Sequence, residues 1–194
     1  LEFRRVLFRS NHFWVPSAIP QYDVAHFFLP ISFADAFGNT TQLRYDINYQ
    51  LFVEKTTDAL GNEMLVKKFN YRVLQPYQLQ DQNDNLSAVR FDEMGITVKT
   101  FAIGKKGTDA GDEFDDNTVE MSPNDFPSAA MEYHIMEWYN QSTNPGFDIN
   151  NYKPKPNFVN IKTRETHYHA HPAHQTKFME SYTSGSRSEE RRVG

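Results

Sequence analysis

Cysteine is absent from the 194-residue chain, so neither a disulfide nor a thiolate metal site can be built from it. That absence suits a protein that passes through oxidising compartments, and secretion is the expectation. No apolar run approaches the roughly 20 residues that a membrane-spanning helix requires. Basic charge is in deficit: 20 Lys and Arg stand against 25 Asp and Glu, a formal net charge of −5. An acidic chain repels phosphate backbones, which argues against a nucleic-acid partner. Zinc spacings of the H-E-x-x-H type, a nucleophile elbow, a phosphate loop and a Gly-rich dinucleotide motif are all missing. Scattered Ser, Asp and His do not make a triad without geometry. The chain therefore reads as non-enzymatic, with no cofactor and no direct membrane insertion.

The two ends differ in character from the rest. "LEFRRVLFRS" (1–10) and "RSEERRVG" (187–194), back-translated, resemble adapter oligonucleotides used in short-read sequencing. Both ends are expected to be adapter-derived, which makes residues 11–186 a window on a longer gene. Six of the 20 basic and three of the 25 acidic residues lie in those ends, leaving 14 against 22 and a net charge of −8.

What the chain does have is aromatic side chains, 14% of residues, at a mean hydropathy of −0.68. That pairing suits strands with one wet face better than a dry helical core. It also has a repeated turn. "DAFGN" (Asp35 to Asn39), "DALGN" (Asp58 to Asn62) and "DQNDN" (Asp81 to Asn85) follow one another at a spacing of 23 residues both times. Leu43, Val66 and Val89 share a column, and the next column is basic: Arg44, Lys67, Arg90. A fixed period of this length marks a recurring supersecondary unit. Asp opens a turn by accepting from amides ahead of it, and Gly38 and Gly61 supply positive φ. Asp84, beside Asn85, holds the glycine's place in the third copy. Around the first turn Leu29, Ile31 and Phe33 oppose Phe28, Pro30, Ser32 and Ala34, and afterwards Thr41, Leu43 and Tyr45 oppose Gln42 and Arg44. Alternation flanking a turn is the hairpin signal. The fold class expected is all-β, consecutive antiparallel hairpins over 11–103. Ordinary hairpins of a compact sandwich are the alternative.

The run from Phe69 to Lys105, "FNYRVLQPYQLQDQNDNLSAVRFDEMGITVKTFAIGK", resembles the Rhs/YD-repeat region of the B component of bacterial Tc insecticidal toxin complexes. "HFFLPISFADAFGNTTQLRYD" (His26 to Asp46), "RETH" (Arg164 to His167) and "TKFMESYT" (Thr176 to Thr183) are similar to flanking parts of the same family. Tyr45–Asp46 and Phe91–Asp92 carry the YD signature. The second copy departs from it, with Lys68–Phe69 in those columns and Tyr71 following, so its hairpin is expected to be re-registered. The resemblance implies a strip of hairpins in a hollow β-shell that encloses a toxin polypeptide and performs no catalysis. It implies as partners the remainder of the shell, a C-component Rhs protein carrying the toxin, and a translocation-channel component. A YD-repeat surface protein that binds carbohydrate or another cell is the alternative. A strip of this kind taken alone is expected to fold poorly or aggregate, because each hairpin leaves edges for a neighbour.

The remaining segments carry weaker signals. Residues 104–128 are Gly-, Pro- and Asp-rich and read as a solvated acidic insertion loop. Asp109, Asp112, Glu113, Asp115 and Asp116 suggest calcium by type, yet their spacing fails the EF-hand pattern. Within 129–186, taken as a continuation of the sheet, Ala129–Gln141 suits a strand by alternation and a helix by composition. The stretch 140–157 reads as a Pro- and Asn-rich loop. In "THYHAHPAH", His167, His169 and His171 would share one face of a strand, with His174 beyond. A metal site, a pH-sensing cluster and plain exposed histidines are the readings for these four.

Overall fold

The computed structural model describes residues 18–105, 107–108, 110–148, 150, 156–170 and 178–184. The expectations for the two ends, Asp109, His171, His174 and residues 149 and 151–155 of the 140–157 loop fall outside the described residues. The chain divides into two compact units, Leu1–Leu65 and Val66–Gly194. In each, sequence neighbours are sheet neighbours and pair antiparallel.

The first unit holds β1 (Ile19–Asp23), β2 (Leu29–Ala34), β3 (Thr40–Tyr45), β4 (Val53–Thr57) and the start of β5 (Glu63–Asn70). A one-turn 3-10 helix, Val24–His26, joins β1 to β2 and is capped by the Asp23 side chain. Along β3 exposed and half-buried positions alternate, with Thr41, Leu43 and Tyr45 on the drier face. Among the described residues of this unit the buried residues are polar, Ser32 and Asp46. Cohesion therefore comes from the backbone ladder and from cross-strand pairs. Tyr45 donates its hydroxyl to the Pro30 carbonyl at 3.1 Å, Ser32 donates to Gln21 at 3.1 Å, and Arg44 meets Glu54 at 3.1 Å.

The second unit takes the rest of β5, then β6 (Gln75–Gln80), β7 (Asn85–Phe91), β8 (Thr97–Lys105), β9 (Ala129–His134), β10 (Phe158–Arg164) and β11 (Phe178–Ser184). Here Tyr77, Ala88, Phe91 and Phe101 are buried. Phe114, from the segment between β8 and β9, joins them edge-to-face with Phe101 at 5.0 Å between ring centres. Both readings of Ala129–Gln141 are realised in succession: β9 pairs with β10 over six residues, and a short helix α1 (Glu137–Ser142) follows. β9 has a ladder partner to satisfy its amides. Past His134 that partner ends, and Glu137 opens a turn of helix where a carboxylate favours the N-terminus.

The segment 104–128 is exposed along much of its length but not solvated throughout. β8 runs on to Lys105, and the segment beyond folds back onto the sheet, burying Asp112, Ser122 and Asp125. The reason is a buried cation that the sequence reading did not place.

Candidate functional site

The three repeated turns have one geometry. In each, the Asp amide donates to the carbonyl of the Asn four residues on, at 2.9, 3.0 and 3.0 Å for Asp35, Asp58 and Asp81. One carboxylate oxygen accepts from the amides of the third and fifth residues: Phe37 and Asn39, Leu60 and Asn62, Asn83 and Asn85. The other oxygen accepts from the Asn side-chain amide at 2.8, 2.8 and 2.9 Å. The fourth position is left-handed, at φ 86° for Gly38, 84° for Gly61 and 64° for Asp84. Asp84 takes that conformation with its carboxylate bound by the Gln80 amide at 2.6 Å. Donation by the Asn side chain, then by turn amides, holds all three leading carboxyls below the usual carboxylate range.

The YD residues serve the opposite ends of the hairpins. Asp46 is buried and accepts from the amides of Tyr49, Leu51 and Phe52. Burial raises its carboxyl, yet those amides together outweigh it and the net shift is downward. Asp92, after Phe91, leads a fourth tight turn that the sequence reading missed. Its carboxylate accepts from Met94 and Ile96 at 2.9 and 2.8 Å, with Gly95 at φ 83°. The D-x-x-G string in "DEMGI" was the signal. In the divergent second copy Asn70, one place beyond Phe69, is buried and accepts from the Arg72 amide at 3.0 Å.

The basic column splits. Arg44 and Lys67 are exposed, whereas Arg90 is wholly buried. Its guanidinium forks onto Asp125 with two hydrogen bonds of 3.0 Å. It also donates to the carbonyls of Thr118 and Asp115 at 2.5 and 2.6 Å and lies 4.1 Å over the Phe114 ring. Burial raises the Asp125 carboxyl, but Arg90 and the amides of Asp115 and Ser122 more than reverse that. Asp115 is held down to about 2, first by the Ser122 hydroxyl and then by the Asn117 amide.

Asp112 forms a second anchor. It accepts from the Ala102 amide at 2.8 Å, from the Tyr168 amide at 3.2 Å, and from the Ser128 hydroxyl. His167 Nδ1 lies 3.5 Å from Asp112, and His169 Nε2 lies 2.6 Å from Glu113. For the described part of "THYHAHPAH" the strand reading is corrected: residues 165–170 form bends and a turn, closed by the Ala170 amide on the His167 carbonyl at 3.1 Å. His167 and His169 each face a carboxylate rather than one another. Among the described residues no group of three or more His, Asp or Glu is arranged to hold a metal ion. No helix among them is long and apolar enough to cross a membrane.

The arrangement thus defines an all-β strip of antiparallel hairpins tied at their turns by carboxylates. No protein-family model and no curated protein matches the chain. Solved structures do match it in fold. The crystal structure of TcdB2-TccC3 superposes at a TM-score of 0.55 with 21% identity, over 76% of this chain and 7% of that one. TcdB2-TccC3 without its hypervariable C-terminal region gives 0.59 with 19% identity, over 76% and 9%. A Tc holotoxin pore from Photorhabdus luminescens gives 0.55 with 18% identity, over 76% and 9%. The fold is therefore one that occurs in Tc toxin chains, and this chain spans less than a tenth of their length.

Proposed function

We propose that the chain is a structural segment of an Rhs/YD-repeat β-shell that encapsulates a toxin polypeptide in a secreted Tc-type toxin complex, and that it does no chemistry. The observation that carries this reading is a hairpin strip whose turns are fixed by Asp carboxylates while its first unit buries no apolar side chain among the described residues. A globular domain closes around a core; a wall needs only lateral pairing and a fixed bend at each strand end. The likeness in fold to TcdB2-TccC3 supports the same reading. Its partners are then the rest of the shell, a C-component Rhs protein bearing the toxin, and a translocation channel.

The test is protease protection. The full-length gene product is co-expressed with its C-component partner, and digestion of the partner's C-terminal polypeptide is followed by immunoblot. Protection in the intact complex, lost when Asp35, Asp58 and Asp81 are all changed to Ala, is the expected result. A polypeptide digested equally fast in the intact complex defeats the proposal. If the same product instead binds glycan-coated surfaces and retains no partner, the surface-protein alternative takes its place.

A further inference from the structure

Arg90 and Lys99 are direct register partners on β7 and β8, so both side chains stand on one face of the sheet. Like charges placed directly opposite each other are destabilising. The carboxylate of Asp125 lies between them and binds both. Its Oδ1 accepts from Arg90 Nη2 at 3.0 Å and from the Asp115 amide at 3.1 Å. Its Oδ2 accepts from Arg90 Nε at 3.0 Å and from the Ser122 amide at 3.1 Å, with Lys99 Nζ at 3.5 Å. No solvent reaches the Asp125 side chain. The result is a closed cage of donors for one carboxylate, half of it sheet and half of it backbone of the insertion.

The cage does not depend on its ligand being tied to residue 125. Other contacts hold the insertion against the sheet: Asp112 accepts from the Ala102 amide, Glu113 bridges to Phe126, and Phe114 packs edge-on against Phe101. Asp115, a second carboxylate beside the cage, is bound by the Ser122 hydroxyl and the Asn117 amide. With Asp125 gone, two cations and two amides would face one another with no anion between them. We propose that Arg90, Lys99 and the amides of Asp115 and Ser122 form a carboxylate-binding site, that Asp125 is its tethered ligand, and that a free monocarboxylate takes the same place when the tether is cut. The insertion is then a lid over β7 and β8 that carboxylate occupancy closes.

Asp125→Ala removes the carboxylate, keeps the Cβ and leaves room for formate. In the full chain, held dilute and at constant ionic strength, cleavage between Lys105 and Ala129 is followed with amide exchange along β7 and β8. Formate is expected to slow both by about tenfold once it exceeds its dissociation constant about tenfold, while chloride does nothing. Acetate, one methyl larger, is expected to act on Asp125→Gly, where the missing Cβ makes room, and to fail on Asp125→Ala. Asp125→Asn, whose amide already fills the cage, is expected to ignore formate. A chain that folds only when formate is present gives the expected result in stronger form, read by circular dichroism. No recovery in formate, or equal recovery in chloride, overturns the proposal. A second variant checks the paired cations: Lys99→Met added to Asp125→Ala is expected to lessen both the loss of protection and the response to formate. An unchanged response would remove Lys99 from the cage and the two-cation site with it.

Discussion

Arg90 and Asp125, 35 residues apart, meet through two parallel hydrogen bonds of 3.0 Å with no side-chain surface left to solvent on either. One residue belongs to the repeat and the other to the insertion, so this pair fastens the irregular segment to β7. The fit is fork to fork, and two of the three remaining guanidinium donors go to the Thr118 and Asp115 carbonyls.

Asp125→Ala leaves the guanidinium buried without its counter-ion, which costs about 3 to 5 kcal/mol when a buried pair is broken from one side. The expected outcome is lost amide-exchange protection along β7 and β8 and faster proteolysis between Lys105 and Ala129. Replacing both partners by apolar residues, Arg90→Met with Asp125→Leu, is expected to recover only part of that protection, because the Thr118 and Asp115 carbonyls and the Asp115 and Ser122 amides then lose their partners. An Asp125→Ala variant as protected as the parent chain would remove the pair from its anchoring role.

Gly111 offers a sharper steric test. A Cβ there would stand 2.0 Å from the Ile103 carbonyl oxygen, and backbone cannot yield that much. Gly111→Ala is expected to dislodge the insertion from β8. Gly38→Ala meets nothing within 4 Å, so only its left-handed φ matters, at about 1 to 2 kcal/mol. Chymotryptic cleavage within 110–128 should therefore rise sharply for Gly111→Ala and stay unchanged for Gly38→Ala.

The turn aspartates make stability pH-dependent with a defined sign. The Asn62 side chain is the first cause of the lowered Asp58 carboxyl. A depressed folded-state pKa adds stability that is fully present above the ordinary value near 3.9 and is lost as pH falls through the lower folded value. Asn62→Ala should move the Asp58 titration upward in carboxyl-carbon NMR and leave Asp35 and Asp81 in place. It should also lower the melting temperature at neutral pH by more than it does in strong acid, where both chains are protonated. An unmoved Asp58 titration would show that the backbone amides alone set it.

How far all this is readable in the sequence follows from the range of each interaction. An Asp that binds amides two and four residues on is a local device, so Asp35, Asp58 and Asp81 announce their turns and the alternation beside them announces the strands. Asp92 does the same work but falls outside the 23-residue period, so counting by period passed over it. Asn70 replaces an Asp one place late, visible only once the β5–β6 connection is traced. The Arg90–Asp125 pair is long-range: Arg90 shares a column with exposed Arg44 and Lys67, and nothing local marks it for burial. The acidic composition of 104–128 described the segment's surface character while missing the carboxylates that fold it down. His167 and His169 would form a cluster only on a strand, and the turn at 167–170 sends each to a different carboxylate.

The edges carry the last prediction. Among the described residues β1 pairs only with β2 and β11 only with β10, so each presents a row of unpaired amides and carbonyls on its outer side. Unprotected edges pair with whatever strand arrives, and among its described residues the first unit shows no buried apolar side chain to hold it closed against rearrangement. The isolated chain should therefore associate as its concentration rises, with light scattering and thioflavin fluorescence increasing together. Ile19→Lys and Tyr22→Pro, both on the free edge strand, should suppress that growth by blocking further pairing. Tyr22 is already 60% exposed, so its replacement sacrifices little packing. A chain that stays monomeric at every concentration and melts in one sharp step would mean that β1 and β11 are not open edges, and the wall reading would lose its physical basis.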